Sequence, residues 1–435
     1  MTKNRVITAI DLGTDKCVTL IATVGEDKQL RVVGVSAVPA RGMKRSVIVD
    51  LEQVLNTISL SLDAAERMAG FEVVSAFVSV SGAHISSRNS KGVVAVASPD
   101  QEITRLDVDR VIEAARAISL PADREIMHVI PRDFKVDSQE GIKDPVGMTG
   151  VRLESEAHII TGMSTALKNL EKCLNDLALK VDGFVFSGLA SAEVTVTETE
   201  KELGVMVIDL GAGSTSLCAY VDGCLEFSGA IPVGARHVTQ DIALGCRISL
   251  DAAEKIKLSL VEADLQSISP LPGESKEELN RRRKKSDVLD LTRLDLPELS
   301  EPLSKRTLVE GIMIPRMKEI VDIIAEQMAK ADLMGKVPAG LVLTGGGALT
   351  VKLAEVARKN LNLPVRVGFP TKLDGLVSDI EKPSYATSIG LLFHGLRQGG
   401  GREVKGGSPF EALSGWFDPK GLGGKIWGII KSVLP

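Results

Sequence analysis

Ile-Asp-Leu-Gly occurs twice in this chain, and that repeat constrains the fold more than any other feature. One copy lies in VITAIDLGT (residues 6–14) and the other in GVMVIDLGAGST (residues 204–215), so Asp11 and Asp209 stand 198 positions apart, each closing an apolar β-type run. A buried strand that runs straight into an Asp and a Gly-rich turn presents a carboxylate beside backbone N–H groups able to hold phosphate. Two copies imply two related halves whose turns face each other as a nucleotide clamp.

A chain of 435 residues that is 44% hydrophobic has apolar material for about three packed domains or subdomains. Its net charge of −5 and isoelectric point near 5.8 run against a general nucleic-acid binder, which carries a broad basic excess; no nucleic-acid partner is expected. Cys17, Cys173, Cys218, Cys224 and Cys246 are odd in number, scattered and without a CxxC pair, which fits reduced thiols rather than a disulfide framework or zinc site. The start MTKNRVITAID has no apolar h-region, and no unbroken apolar stretch reaches about 18 residues, so a cytoplasmic chain without a spanning helix is expected. His84, His128, His158, His237 and His394 show no ligand spacing and read as structural or surface residues.

Periodicity gives the order of elements. Strand-like LRVVGVSAV and VVSAFVSVSG flank a helical segment at 51–68 whose Leu51, Val54, Leu55, Ile58, Leu62 and Ala65 share one side, an alternation that points to an α/β core. Residues 83–163 break the rhythm with strand-like GVVAVAS, helical DVDRVIEAARAI and a Pro/Gly-punctuated stretch, and read as an inserted subdomain. A helical segment at 164–179 leads into KVDGFVFSGLASAEV and the second Asp-Gly turn. Residues 265–305 become charged and Pro-marked around ESKEELNRRRKKSD, the pattern of a solvated loop or extension. A long helical pattern at 307–334 precedes AGLVLTGGGALT, a third strand ending in glycines, and RQGGGREVKGGSP after Leu396 is a Gly/Lys linker.

Within the first turn, Asp11, Gly13, Thr14 and Lys16 offer a carboxylate, an uncrowded backbone, a hydroxyl and a cation in six positions. A triphosphate with Mg²⁺ needs that mixture. The second turn repeats the logic with Asp209, Gly211, Gly213, Ser214 and Thr215. Asp11 and Asp209 are the expected Mg²⁺ carboxylates, acting through water, and Asp209 is the one candidate for a catalytic group. No GxxxxGK[ST] loop occurs, and GAGST lacks the third Gly of the dinucleotide fingerprint. Gly345, Gly346 and Gly347 after LVLT let a flat base and sugar lie against backbone. Helical DAAEKIKLSL puts Glu254 and Lys257 three apart on one face, to hold a ribose hydroxyl or merely to form an exposed helix pair.

AIDLGTDK, FVFSGLASAEV, VIDLGAGST, LVLTGGGALT and ATSIGLL resemble the phosphate-1, connect-1, phosphate-2, adenosine and connect-2 motifs of the actin, Hsp70 and sugar-kinase superfamily. More narrowly, HVIPRDFKVDSQEGIKDPVGMTGVRL, ARGMKRSVIVDLE and LKVDGFVFSGLAS resemble the FtsA family of bacterial cell-division proteins, a likeness that runs through residues 5–396. The resemblance implies an α/β, actin-like fold: a duplicated ribonuclease H-like core with an FtsA-type inserted 1C subdomain and a C-terminal amphipathic helix. It implies subdomain 1A at 1–82, 164–198 and 370–396, subdomain 1C at 83–163, subdomain 2A at 199–230 and 305–369, and subdomain 2B at 231–304 with its charged extension at 265–304. A linker at 397–424 and a membrane-targeting helix at 425–435 would follow. Implied too are ATP and Mg²⁺ in the cleft, self-assembly into filaments, the FtsZ C-terminal tail on subdomain 2B, and other division proteins on subdomain 1C.

One departure bears on mechanism. Superfamily members that hydrolyse ATP readily carry a Gln or Glu near the start of connect-1 to orient water, where this chain has Gly188, so slow or absent turnover is expected. The competing readings are an ATP-dependent small-molecule kinase on the same core and an FtsA-like pilus-assembly scaffold.

Both tryptophans, Trp416 and Trp427, lie beyond the Gly-rich linker. In KIWGIIKSVLP, helical spacing gathers Ile426, Trp427, Ile430, Val433 and Leu434 on one side, with Lys425 and Lys431 able to reach headgroups. That is the pattern of an interfacial anchor on an anionic lipid membrane, and the family resemblance implies that it holds the chain at the cytoplasmic face of the cell membrane at the division site; the plain alternative is a helix that caps the body. Phe410, Leu413, Trp416 and Phe417 share helical spacing as a second contact.

Overall fold

The computed structural model describes residues 5–399 apart from 99, 262–270, 272–273, 291–293, 295, 297–301, 372 and 376–379, together with the short strand Arg402–Glu403. The expected tail helix at 425–435 and the second contact at 410–417 lie outside the described residues.

The duplication read in the sequence is visible as two sheets with one plan. In the first half, the strands Arg5–Leu12, Lys16–Val24 and Leu30–Pro39 form an antiparallel meander, and Ser75–Val80 then Lys180–Phe186 add parallel strands beyond Arg5–Leu12. In the second half, Val205–Leu210, Thr215–Val221 and Cys224–Ile231 form the meander, and Gly340–Thr344 then Val365–Val367 add the parallel strands. Val205–Leu210 and Gly340–Thr344 are buried at every position, as strands covered on both faces must be, so they read as unbroken apolar runs rather than alternations. Each half has its own apolar core, and a further cluster that includes Ile10, Val78, Phe186, Val207, Cys218 and Val342 joins the two halves.

The helix Leu51–Ala69 follows from local chemistry. Asp50 caps it by accepting from the Gln53 amide at 3.1 Å, and Gly70 ends it at φ 82°. Val54, Ile58, Leu62 and Ala65 form its buried stripe. Leu51, expected on that stripe, is 39% exposed because it sits at the first helical position, before the helix reaches the core. The expected helix at 307–334 begins as a wide π turn, Thr307–Met313, and becomes α only over Ile314–Lys330. Pro315 sits at that junction with no N–H to donate, and the Ile314 amide reaches back five residues to the Val309 carbonyl.

Residues between the strand Ser75–Val80 and the helix Ser164–Asp176 build a separate antiparallel sheet. Its order is Ser86–Ala95, Arg152–Met163, Arg124–Val136, Gln139–Ile142, and the helix Arg105–Arg116 packs on it over a small core that includes Ile103, Val111, Phe134 and Leu153. The segment expected to be solvated is only partly so. Its helix Lys276–Asp287 buries no residue, whereas Leu289 and Leu296 are 5% and 9% exposed and join the second core. Periodicity missed them because two isolated leucines make no pattern. The linker likewise begins with an anchored piece, since Arg402–Glu403 pairs antiparallel with Arg5 and Val6. Among the described residues no helix is long and apolar enough to cross a membrane.

Candidate functional site

Both Asp-Gly turns close in the same way. Leu12 pairs with Cys17 and Leu210 with Thr215; between them the Gly13 amide donates to the Lys16 carbonyl and the Gly211 amide to the Ser214 carbonyl, each at 3.0 Å. A Cβ on Gly13 or on Gly211 would stand 2.9 Å from that carbonyl oxygen, so the turn itself excludes a side chain there. The two turns face one cleft of about 210 Å³ between the halves.

Twelve of the fourteen residues expected in the site line this cleft: Asp11, Gly13, Thr14, Lys16, Asp209, Gly211, Ser214, Glu254, Lys257, Gly345, Gly346 and Gly347. Thr215 does not. It is wholly buried and donates to the Val233 carbonyl at 2.7 Å, the position that Cys17 holds in the first turn. Strand alternation turns it away from Ser214, and aligning the two turns residue by residue reveals this in the sequence alone. Gly213 lies behind the lining: a Cβ there would meet Thr14 Oγ1 at 2.5 Å and the Arg45 Cα at 3.0 Å, so its glycine makes room for protein rather than ligand.

The two carboxylates differ in setting. Asp11 accepts from Ser79 Oγ at 2.7 Å; burial pushes its carboxyl above the usual range, against the pull of that bond and of Lys16. Asp209 is 7% exposed and accepts from Thr387 Oγ1 at 2.8 Å. Burial first, and then the neighbouring charge of Asp11, push its carboxyl up to about 6, against the opposing bonds from Thr387 and Ser191. Lys16 donates to Ser384 Oγ at 3.2 Å and stands 3.8 Å over the ring of Tyr385. Burial lowers its affinity for a proton, while Asp11 and Asp15 hold it up. A cavity with two carboxylates of raised pKa and one desolvated ammonium is set for a cation and an anion together.

The opposite wall is built by glycines and a polar knot. Gly345 has φ 84°, and a Cβ on it would run into Asp209 Oδ1 and the Leu210 carbonyl, so the turn passes directly behind the carboxylate. Gly346 is different, with nothing nearer its Cβ position than Ser384 Cβ at 3.8 Å; it fronts open cleft. Lys257 is buried, donating to Glu254 Oε2 at 2.7 Å and to Thr239 Oγ1 at 3.0 Å, and Thr239 donates to Glu254 at 2.6 Å. The pair is therefore part of the cleft rather than an exposed helix decoration.

Sequence reasoning missed a ring of hydroxyls. Ser46, Ser81, Ser187, Ser216, Thr239, Ser384 and Thr387 all line the cleft. Thr387, Ser187 and Ser46 had a signal, since they lie inside ATSIGLL, FVFSGLASAEV and ARGMKRSVIVDLE; Ser81, Ser216 and Ser384 had none, because a lone Ser near a strand end or loop is common. Gly188, in the position considered for a water-orienting side chain, is buried, and a Cβ there would stand 2.7 Å from the Phe186 ring and 3.1 Å from Ser216 Cβ. The histidines do structural work: His128 accepts from the Phe186 amide at 3.0 Å, and His158 bonds Asn89 at 2.6 Å and Ser228 at 3.0 Å. No cluster of three or more His, Cys, Asp or Glu suited to a metal occurs among the described residues, and all five cysteines are free thiols.

Comparison with known proteins assigns the family. A family model described as "SHS2 domain inserted in FTSA" matches residues 82–161, and one described as "Cell division protein FtsA" matches residues 206–390. "Cell division protein FtsA" of Pseudomonas aeruginosa is 35% identical over 398 residues, covering 91% of this chain and 90% of that one. The protein of the same name from Borreliella burgdorferi is 35% identical over 433 residues, covering 96% and 99%, and that of Escherichia coli 32% over 408 residues, covering 91% of each. Among solved structures, a "PilM-PilN type IV pilus biogenesis complex" aligns with TM-score 0.57 at 14% identity, covering 90% of this chain and 98% of that one. MreB5 of Spiroplasma citri bound to ADP aligns with TM-score 0.50 at 13% identity, covering 91% and 97%. At such identity these two speak for a shared fold alone. With a duplicated core, an inserted sheet at the family's own position and a third of its residues identical to named members along nine-tenths of its length, the chain belongs to the FtsA family of actin-like cell-division proteins.

Proposed function

We propose that the cleft binds ATP with Mg²⁺, and that nucleotide-loaded chains polymerise and tether FtsZ to the cytoplasmic face of the cell membrane at the division site. The observation that carries this reading is the facing pair of Asp-Gly turns, alike in hydrogen bonding and in steric demand, on the two sides of one cleft.

The residues fit both groups. Asp11 and Asp209, each raised by burial and the second also by its neighbour, gain by sharing a divalent cation, and two carboxylates without a full cage suit a Mg²⁺ that keeps its waters. A bound Mg²⁺ triphosphate would supply a polyphosphate charge matched to Lys16, Thr14 and Ser214. The Gly13 and Gly211 amides are spent closing their turns, which leaves the amides of residues 14–15 and 212 to meet phosphate oxygens. Gly346 gives a base and sugar open space to lie against the backbone, and the Glu254–Lys257–Thr239 knot offers polar groups to a ribose. Gly188 supplies no carboxylate or amide to steer water, so these residues hold nucleotide far better than they turn it over. Membership of the division family sets aside the small-molecule kinase.

In this reading residues 83–163 form subdomain 1C and meet other division proteins, and residues 231–304 form subdomain 2B and receive the FtsZ C-terminal tail. Ile426, Trp427, Ile430, Val433 and Leu434 insert at an anionic lipid surface. Five apolar anchors bind weakly one at a time, and filaments multiply them through effective concentration. Co-sedimentation with anionic liposomes tests this, comparing the full chain with one ending at Gly407, with ATP and without. The full chain pelleting better with ATP and bringing purified FtsZ with it, while the truncation stays soluble, is the expected outcome. Equal pelleting of both chains would remove the anchor, and FtsZ left in the supernatant would remove the tether.

A further inference from the structure

Three residues, Pro383–Tyr385, wind one 3₁₀ turn ahead of the helix Ala386–Arg397, and this turn touches both sides of the cleft. Towards the second half, the Pro383 carbonyl accepts from the Gly345 amide at 3.1 Å and from Thr344 Oγ1 at 3.4 Å. Towards the first, Ser384 Oγ accepts from Lys16 Nζ at 3.2 Å, and that nitrogen stands 3.8 Å from the centre of the Tyr385 ring. The turn is itself well fixed. Pro383 is buried, the Tyr385 amide donates to the Lys382 carbonyl at 3.0 Å, and the Tyr385 carbonyl accepts from Ser388 Oγ at 3.0 Å. The ring is half-buried and packs on the apolar core that holds Ile389 and Leu392.

A lysine ammonium sits on a flexible four-carbon stem and has three N–H donors. Here Ser384 takes one donor, and the negative face of the ring attracts the ammonium from another side. Ser384 and Lys16 line the cleft and Tyr385 does not, so the ring backs Lys16 from the protein side while the ammonium fronts the cavity. Burial opposes the protonated form of Lys16 most, Asp11 and Asp15 favour it, and Lys382 opposes it. Asp11 spends Oδ1 on Ser79 at 2.7 Å and acts on Lys16 through its charge. A freed Lys16 would be drawn to that carboxylate, away from a ligand and onto the group that a cation needs. In the second turn the matched residue is Ser214, so that turn brings no ammonium of its own.

The geometry points to Tyr385 as a positioning residue for nucleotide binding: its ring, seated on the core of the first half, holds Lys16 in place for a polyphosphate. This rests on the nucleotide reading given above and adds a residue that touches no phosphate itself. A cation set in place before the ligand arrives removes an ordering cost that binding would otherwise meet. The same turn carries the contact to Gly345, so three consecutive residues place the cation on one side of the cleft against the glycine wall on the other.

The test is the affinity of the full chain for Mg·ATP, read by displacement of a fluorescent adenine nucleotide, for the natural protein, Y385F, Y385L, K16Q and the double variant of Y385L with K16Q. Y385L lowers the affinity about tenfold, and Y385F by less than about twofold, because phenylalanine keeps a π face. On the K16Q background Y385L lowers it by less than about twofold, since the ammonium that the ring served is gone. Y385M fills the space with a flexible side chain that has no π face, and it repeats the measurement if leucine disturbs the turn. Affinity unchanged in both Y385L and Y385M overturns the assignment. So does a loss in Y385F as large as in Y385L, which would assign the effect to the hydroxyl, and so does an equal loss with and without Lys16, which would assign it to the fold. A natural protein that binds no nucleotide removes the ATP reading itself; one that binds normally while Tyr385 proves indifferent removes the positioning role alone.

Discussion

The two Asp-Gly turns are the same turn in different surroundings. Backbone closure is identical to the tenth of an ångström, yet the first turn carries Thr14, Asp15 and Lys16 where the second carries Ala212, Gly213 and Ser214. Asp11 therefore has an ammonium near it, and Asp209 has only hydroxyls and the charge of Asp11. Duplication preserved what the backbone needs, namely the strand, the Asp and the Gly, and let the charges diverge. In the proposed reading one turn is fitted to neutralise a ligand's charge, and the other to take a cation.

That difference predicts opposite outcomes from one substitution. Asp209→Asn removes a buried charge held against its preference, so the empty protein gains about 3 kcal/mol at pH 7.5, seen as a melting temperature higher by about 2–4 °C. The same change lowers Mg·ATP affinity about 10–100-fold, measured by the nucleotide-induced rise in melting temperature. Asp11→Asn weakens nucleotide as much and stabilises the empty protein less, because Lys16 loses its partner. Equal stabilisation by the two variants would break the distinction between the turns.

Next in size is an exchange at the matched positions 15 and 213. Asp15 is exposed and Asp15→Gly shifts stability by about 0.5 kcal/mol or less, whereas Gly213→Asp drives a side chain into Thr14 and the Arg45 backbone and destabilises by about 3 kcal/mol. Chemical denaturation of both variants measures it.

The duplicated plan was legible because strand, Asp and Gly are local requirements that leave a local signature. Glu254 and Lys257 were legible as a pair by spacing alone, while their partner Thr239 was not, since it comes from the preceding helix, Arg236–Cys246, and only packing brings it within 2.6 Å. Thr215 was misassigned by reading the motif as a block, although a strand sends alternate residues to opposite faces. The line of hydroxyl contacts from Thr14 through Ser46, Ser214 and Ser81 to Ser216 was illegible as a line for a deeper reason: its five members come from four separate segments, and serine carries no periodic or compositional mark. Leu289 and Leu296 were hidden by their charged context, which describes the solvent side of that segment and not the side that packs.

pH sharpens the comparison further. Asp209 titrates near 6 in the folded chain and near 3.8 when unfolded, so the folded state binds more protons between those values. The stability it contributes is present below about pH 4 and lost as pH rises to about 6. His128 and His158 run the other way: burial lowers both to about 3 from 6.5, so their share is present above about pH 6.5 and lost as pH falls toward 3. The empty natural protein minus Asp209→Asn isolates the first limb: the difference falls between pH 4 and 6 and is flat above. A flat difference throughout would mean that Asp209 is as well solvated as a surface carboxylate.

The smallest expected effect concerns the hydroxyls that each carboxylate relies on. Ser79 both donates to Asp11 and accepts the Leu12 amide at 3.2 Å, so Ser79→Ala orphans a buried N–H as well as a carboxylate oxygen and costs about 2 kcal/mol. Thr387 gives Asp209 a single bond, and Thr387→Val keeps the shape, so it costs about 1 kcal/mol and moves the Asp209 midpoint further up. A double-mutant cycle separates the two. Thr387→Val made on top of Asp209→Asn should cost much less than about 1 kcal/mol at pH 7.5, because the charge that the hydroxyl served is gone. Ser79→Ala on top of Asp11→Asn should keep roughly half its cost, because the Leu12 amide still lacks its acceptor. The turns would then differ in how a carboxylate is wired to its strand, and not only in the charge beside it.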